Sequence, residues 1–284
     1  MQDKQKIKTT VKLLLFILFL IAVVVAIRFY LIESYRISTT AMENSLKKGD
    51  FILVNKSNKQ PKGNQVILFV SPLLKDSAST PLFLSRCIGL PGDTIRIAQD
   101  GYTINGRYFP LSPNTVCQYN VDNAIVESFL NVMKRLEISV RNQKQEEKNV
   151  LLSLTPFEEY SIREELDEQT NKLFTKLYAE EYTLVVPRKN RPYRLTPENL
   201  TACKEAILHE AELSVSFRDQ KLFMDGKETN FFFFRQDYYW VLSDNTKDGI
   251  DSRHLGFIPA DNILGTAWWC WFSQQSDHLF KPVY

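Results

Sequence analysis

Phe83-Leu84-Ser85-Arg86-Cys87-Ile88-Gly89-Leu90-Pro91-Gly92-Asp93-Thr94 is the stretch that decides the fold. A compact apolar run, Phe83–Ile88, enters a corner of glycine and proline, Gly89–Asp93. A second apolar run, Thr94–Ala98, leaves it. Proline fixes φ and glycine reaches backbone angles closed to other residues, so the chain turns there. Upstream, Phe51–Val54 and Gln65–Val70 are further strand-length apolar runs. Downstream, Asp100-Gly101 and Asn105-Gly106 are the dipeptides of tight hairpin turns. Short strands joined this way predict antiparallel sheets, not the strand–helix alternation of a parallel one.

The middle of the chain changes period. Ile125, Phe129, Val132, Leu136 and Val140 recur at helical spacing, and the charged stretch 141–148 reads as a solvated face. Thr155-Pro156 with Glu158 is a helix start: a cap, a proline at the first position and an acid three residues after the cap. Ile162, Leu166, Leu173 and Leu177 extend its apolar face. Thr196-Pro197-Glu198 opens another helix carrying Leu200, Cys203 and Ile207. Strands are expected again at Leu213–Phe217, Lys221–Met224 and Tyr238–Leu242, with a turn at Asp225-Gly226. Phe231–Phe234 is a run of four phenylalanines. In Ala267-Trp268-Trp269-Cys270-Trp271-Phe272 the tryptophans suit either core filling or a surface at a membrane interface, where indoles are favoured.

Composition sets the outer bounds. The 284 residues are 44% hydrophobic and 24% charged, which excludes wholesale disorder. A formal net charge of +2 gives no footprint for nucleic acid. The cysteines at 87, 117, 203 and 270 form no C-x-x-C pair, and His209, His254 and His278 have no metal-ligand spacing, so no metal and no cofactor is expected. A disulfide or two stays open.

Near the N-terminus, Leu13–Ile27 carries no charge, and continued to Ile32 the segment reaches the roughly 20 residues that span a bilayer as a helix. Lys4, Lys6, Lys8 and Lys12 against Asp3 outweigh Arg28, Glu33 and Arg36 beyond it. The positive-inside rule then puts residues 1–12 in the cytoplasm, a transmembrane anchor at 13–32 and the rest outside the cytoplasmic (inner) membrane in contact with lipid. The other reading is a cleaved secretory signal ending at Val24-Val25-Ala26.

Four segments, in order, resemble the type I signal peptidases, membrane-anchored serine–lysine proteases that remove signal peptides from exported proteins. Ile37-Ser-Thr-Thr-Ala-Met-Glu-Asn-Ser-Leu-Lys-Lys-Gly-Asp50 is similar to the family's Pro-Ser-x-Ser-Met-x-Pro-Thr-Leu-x-x-Gly-Asp box. Pro61–Phe69 is similar to the strand that follows it. Phe83–Thr94 is similar to the Lys-Arg-x-x-Gly-Leu-Pro-Gly-Asp box, and Ser243–Pro259 to Gly-Asp-Asn-x-x-x-Ser-x-Asp-Ser-Arg. The segment ending in Tyr182-Thr-Leu-Val-Val-Pro187 is similar to the larger insertions in signal peptidases of Bacteroidetes-type bacteria. The resemblance implies a mainly β fold of antiparallel, signal-peptidase-like sheets with an inserted, partly helical subdomain and the N-terminal transmembrane helix. Residues 38–110 and 236–272 would form the core and 111–235 the insertion.

In that family a serine hydroxyl attacks the scissile carbonyl and a buried, neutral lysine takes its proton. A second hydroxyl orients the lysine, and hydrogen-bond donors stabilise the oxyanion. Carried over by position, the nucleophile is Ala41, before Met42, and the general base is Ser85, before Arg86. The lysine-orienting serine is Gly249. The oxyanion hydroxyl falls on Thr39. The first-box proline and threonine become Asn44 and Ser45, and the glycine opening the fourth box becomes Ser243. Met42, Asp50, Arg86, Gly89, Pro91, Gly92, Asp93, Asp244, Asp251, Ser252 and Arg253 remain as the structural part of the motifs.

Three functional readings follow. The first is a catalytically inactive homologue that keeps a groove for signal peptides of exported preproteins or for an active signal peptidase as partner. The second is an active peptidase with a relocated dyad, drawn from Ser38, Thr39, Thr40, Ser45 or Ser85 with Lys47 or Lys48. The third is a structural, membrane-anchored interaction domain with the groove filled. The first reading expects Ala41, Ser85 and Gly249 to converge in one groove that holds no lysine amine.

Overall fold

The computed structural model describes residues 2–43, 45–71, 80–98, 101–110, 117–140, 143–177, 181–211, 214–245, 249–274 and 279–283, with the side chains of 2–11, 27 and 29 also outside the description. Asn44, Asp100, Leu213 and His278 lie outside the described residues.

The chain begins with a helix, Gln2–Tyr30. Its described apolar side chains, Leu13 to Val25, are largely exposed. Among the described residues no helix is long and apolar enough to cross a membrane; the described side chains of this one run unbroken only from Lys12 to Ala26. The helix stops short of the expected 13–32 span, because Ile32 already pairs with Asn55 in a sheet.

That sheet has eight strands in the order Ile32–Arg36, Phe51–Asn55, Ile263–Phe272, Val66–Val70, Leu82–Gly89, Tyr238–Leu242 and Ile258–Pro259, with Lys281–Pro282 also pairing on Ile263–Phe272. Every pair is antiparallel, as expected from the sequence. The Gly89–Asp93 corner then carries the chain into a second sheet of Tyr182–Val185, Thr94–Ile97, Gly101–Ile104 and Arg107–Pro110. Gly89 is needed there for space: a Cβ would press on Ile95, Val186 and Trp240. Gly92 takes φ +92°, and the Asp93 carboxylate accepts from the Leu90 N–H at 2.8 Å. Asn105 and Gly106 both have positive φ, which closes the next hairpin.

Within the expected insertion, 111–235, the described residues pack in two ways. Only the chain from Cys117 to Phe174 builds a core of its own, with Tyr119, Phe129, Leu152 and Phe174 at its centre. Residues 182–234 pack instead against Ile88, Ile95, Trp240 and Phe257.

Two local expectations are corrected. The helix begun at Thr155 ends at Glu165, and the sequence meant to continue it forms Glu168–Lys172 and a strand, Phe174–Lys176. Val140 lies beyond the end of the Val126–Arg135 helix and is exposed. Of the tryptophan run, Trp268 and Trp271 are exposed, while Ala267 and Cys270, each preceding one of them, are buried. All four cysteines are free thiols.

Candidate functional site

All four motif segments supply walls to one groove. Ile37, Thr39 and Ala41 come from the first, Leu68 from the second, Phe83 and Leu84 from the third and Ile250 from the fourth, enclosing about 490 Å³. The wall is mainly aliphatic and aromatic, with Arg36 the one basic residue among the described lining. The Leu82–Gly89 strand pairs with Val66–Val70 along Leu82–Arg86. On its other side Tyr238–Leu242 reaches only Arg86, Cys87 and Gly89. Among the described strands, therefore, nothing pairs with the Leu82–Ser85 half on the second side.

Ala41 and Thr39 line the groove, whereas Ser85 and Gly249 are buried and are not among its described lining. The Asn245 N–H donates to the Ala41 carbonyl at 2.8 Å, the Asn245 side-chain amide donates to the Thr40 carbonyl at 3.1 Å, and the Gly249 N–H donates to the Asn245 carbonyl at 3.1 Å. The Ser85 and Ser243 hydroxyls lie 3.5 Å apart. A Cβ placed on Gly249 would fall on the Cβ and Oγ of Ser243. Thus Ala41 connects to Gly249 through Asn245, and Ser85 to Gly249 through Ser243. Asn245 and Ser243 bring these positions together, and neither carried a role in the sequence reading beyond its motif position.

The retained motif residues hold the frame. Asp251 is fully buried. It accepts from the Ser243 N–H at 2.9 Å and from the Arg253 guanidinium at 2.9 and 2.7 Å. The Ser252 hydroxyl accepts from the Val241 N–H at 2.9 Å. Arg86 forks onto Asp244 at 2.8 and 2.6 Å, and Ser45 donates its hydroxyl to the same carboxylate. Burial raises the pKa of Tyr102, and the Arg86 charge nearby lowers it in part. Asp50 is buried and accepts from the Lys47 N–H at 2.8 Å and the Ser273 hydroxyl at 2.6 Å. Met42 is buried too.

Lys47 and Lys48 lie on this Asp50 turn and are not in the groove lining. Burial, with the Asp93 charge as a lesser cause, pushes the Cys87 thiol up to about 12, so it stays protonated and inert near neutral pH.

A family model described as "Signal peptidase, peptidase S26" matches residues 10–272. Signal peptidase I of Buchnera aphidicola subsp. Baizongia pistaciae is 23% identical over 282 residues, covering 92% of this chain and 75% of the relative. Signal peptidase I of Aquifex aeolicus is 25% identical over 261 residues, covering 89% and 81%. Signal peptidase I U of Bacillus subtilis is 33% identical over 110 residues, covering 38% and 55%. With residues 10–272 matched and all four motif segments folded around one groove, the chain belongs to the signal peptidase family, peptidase S26.

Proposed function

We propose that this signal peptidase homologue has lost cleavage and kept peptide binding. The observation that carries the reading is the groove itself. It is open, at about 490 Å³, but the position facing it where the family places its nucleophile is Ala41, which has no attacking atom. The general-base position is Ser85, whose hydroxyl cannot act as an amine base near neutral pH. Of the relocated candidates, Ser45 is engaged with Asp244.

An open groove of about 490 Å³ argues against the filled-groove reading. Its apolar wall and the unpaired side of Leu82–Ser85 suit an extended apolar peptide added as a strand. The ligand class is the signal peptide of an exported preprotein, or an equivalent segment of an active signal peptidase.

The location follows from the N-terminus. A helix of 29 residues whose apolar stretch, Leu13 to Val25, has exposed side chains and follows Lys4, Lys6, Lys8 and Lys12 supports a single-pass anchor in the cytoplasmic membrane. The β domain, with residues 117–177 as its inserted unit, then faces outward.

Full-length protein in detergent should leave a preprotein with an Ala-x-Ala site uncut, yet bind the fluorescently labelled signal peptide. Leu84→Glu should weaken that binding about 10-fold, the effect of a charge costing ~1.4 kcal/mol in an apolar wall. Cleavage by the unaltered chain that disappears in Ser45→Ala or Ser85→Ala would overturn the reading. Unchanged binding in Leu84→Glu would remove the groove from it.

A further inference from the structure

Gly249 is not a glycine for conformational reasons: it is absent from the residues with positive φ, so its backbone accepts a side chain. What forbids one is Ser243, whose Cβ and Oγ occupy the place a Cβ at 249 would take. The same hydroxyl stands 3.5 Å from that of Ser85, which is itself fully buried. A lysine at 85 carries three more side-chain heavy atoms than the serine now there. Position 243 is also where the resembling motif has glycine, and 249 where it has serine. The side chain has changed places across a single contact.

We infer that Ser243 is the residue that closes this site to a lysine–serine pair, and that Ser85, Ser243 and Gly249 are one packing unit in which a side chain at 243 replaces those absent from 85 and 249. The inference deepens the peptide-binding, non-cleaving reading above and rests on it for its consequence for activity. Restoring Ala41→Ser, Ser85→Lys and Gly249→Ser together would then fail on space alone, because Ser243 still holds it. The required fourth change is Ser243→Gly. Ser243→Ala is insufficient, since the Cβ itself collides.

A double-mutant cycle tests the packing independently of any activity. In the full-length protein, Gly249→Ser should lower the Tm by roughly 3–10 °C, the shift expected when a packed site is overfilled. Adding Ser243→Gly should recover at least half of that loss. Recovery stays incomplete because the Asn245 carbonyl lies 2.9 Å from the new Cβ. Adding Ser243→Ala should recover less than Ser243→Gly. If Gly249→Ser does not fold, folded Ser243→Gly/Gly249→Ser supports the inference and an unfolded pair overturns it. Additive losses, or a tolerated Gly249→Ser, also overturn it.

In the second arm, Ala41→Ser/Ser85→Lys/Ser243→Gly/Gly249→Ser should cleave the Ala-x-Ala preprotein at least about 10-fold faster than the same protein with Ser243 kept, as a misplacement of 1 Å costs about 100-fold. Equal cleavage with and without Ser243 would overturn the inference. No cleavage by either, with the stability coupling intact, supports the packing unit and overturns the peptide-binding reading of the groove.

Discussion

Arg86 and Asp244 carry a strong polar contact beside the groove. Their side chains are 12% and 15% exposed, the guanidinium forks onto both carboxylate oxygens, and Arg86 also donates to the Asn64 carbonyl at 2.9 Å. Breaking such a pair strands a buried charge, which costs far more than the pair contributes. Asp244→Ala should therefore lose roughly 3–5 kcal/mol in urea unfolding. Arg86→Lys should lose part of this, because an ammonium cannot fork. Arg86→Met/Asp244→Leu should be less damaging than Asp244→Ala alone. Motif spacing pointed to both residues, since each follows a substituted position in its box. The Ser243–Gly249 contact was less legible. Both appear in the sequence as separate departures six positions apart, and only the folded loop shows that one excludes the other.

Elements with local causes were readable from the chain. Thr155 accepts from the Glu158 N–H at 3.2 Å while the Glu158 carboxylate accepts from the Thr155 N–H at 2.8 Å, the reciprocal cap that the sequence announces. Thr196 makes the same arrangement with Asn199, not with the neighbouring Glu198. Thr155→Ala should lower stability by about 1 kcal/mol, with hydrogen exchange accelerated first in the Pro156–Glu165 turn. Elements whose ends depend on competition were not readable. Leu166, Leu173 and Leu177 keep helical spacing, yet Asp167 accepts from the Gln169 and Thr170 N–H groups and starts a new, short helix. The tryptophan strand shows a different limit. Phe51 and Ile52 pair with Phe272 and Cys270, and Leu53 and Val54 with Trp269 and Ala267, so each register shift leaves one extra residue, Trp271 and then Trp268. A bulge turns its added residue away from strict alternation. That places both indoles outward, and no period-2 reading of the sequence contains it.

Across the whole molecule, the groove takes its walls from chain segments that only the completed sheet brings together. The cysteines report on that completion. Burial pushes Cys87 and Cys203 up to about 12 and Cys270 up to about 11. A raised thiol pKa means the folded protein holds those protons more tightly, so the stability it reflects is present below the ordinary thiol pKa and is lost as pH rises through the raised value. At pH 8 iodoacetamide should leave Cys87 and Cys203 unmodified in native protein and alkylate all four cysteines in denaturant. Rapid native labelling of Cys87 would show the sheet open around the site. The strand order carries a consequence in time. Ile263–Phe272 lies between Phe51–Asn55 and Val66–Val70, yet a ribosome delivers it about 200 residues after them, some 10–40 seconds at ordinary elongation rates. Through that interval the two early strands face each other across a vacant slot, exposing unpaired edges to any extended chain nearby. The last long strand made is thus the keystone, and until it is seated both neighbouring strands keep an open edge.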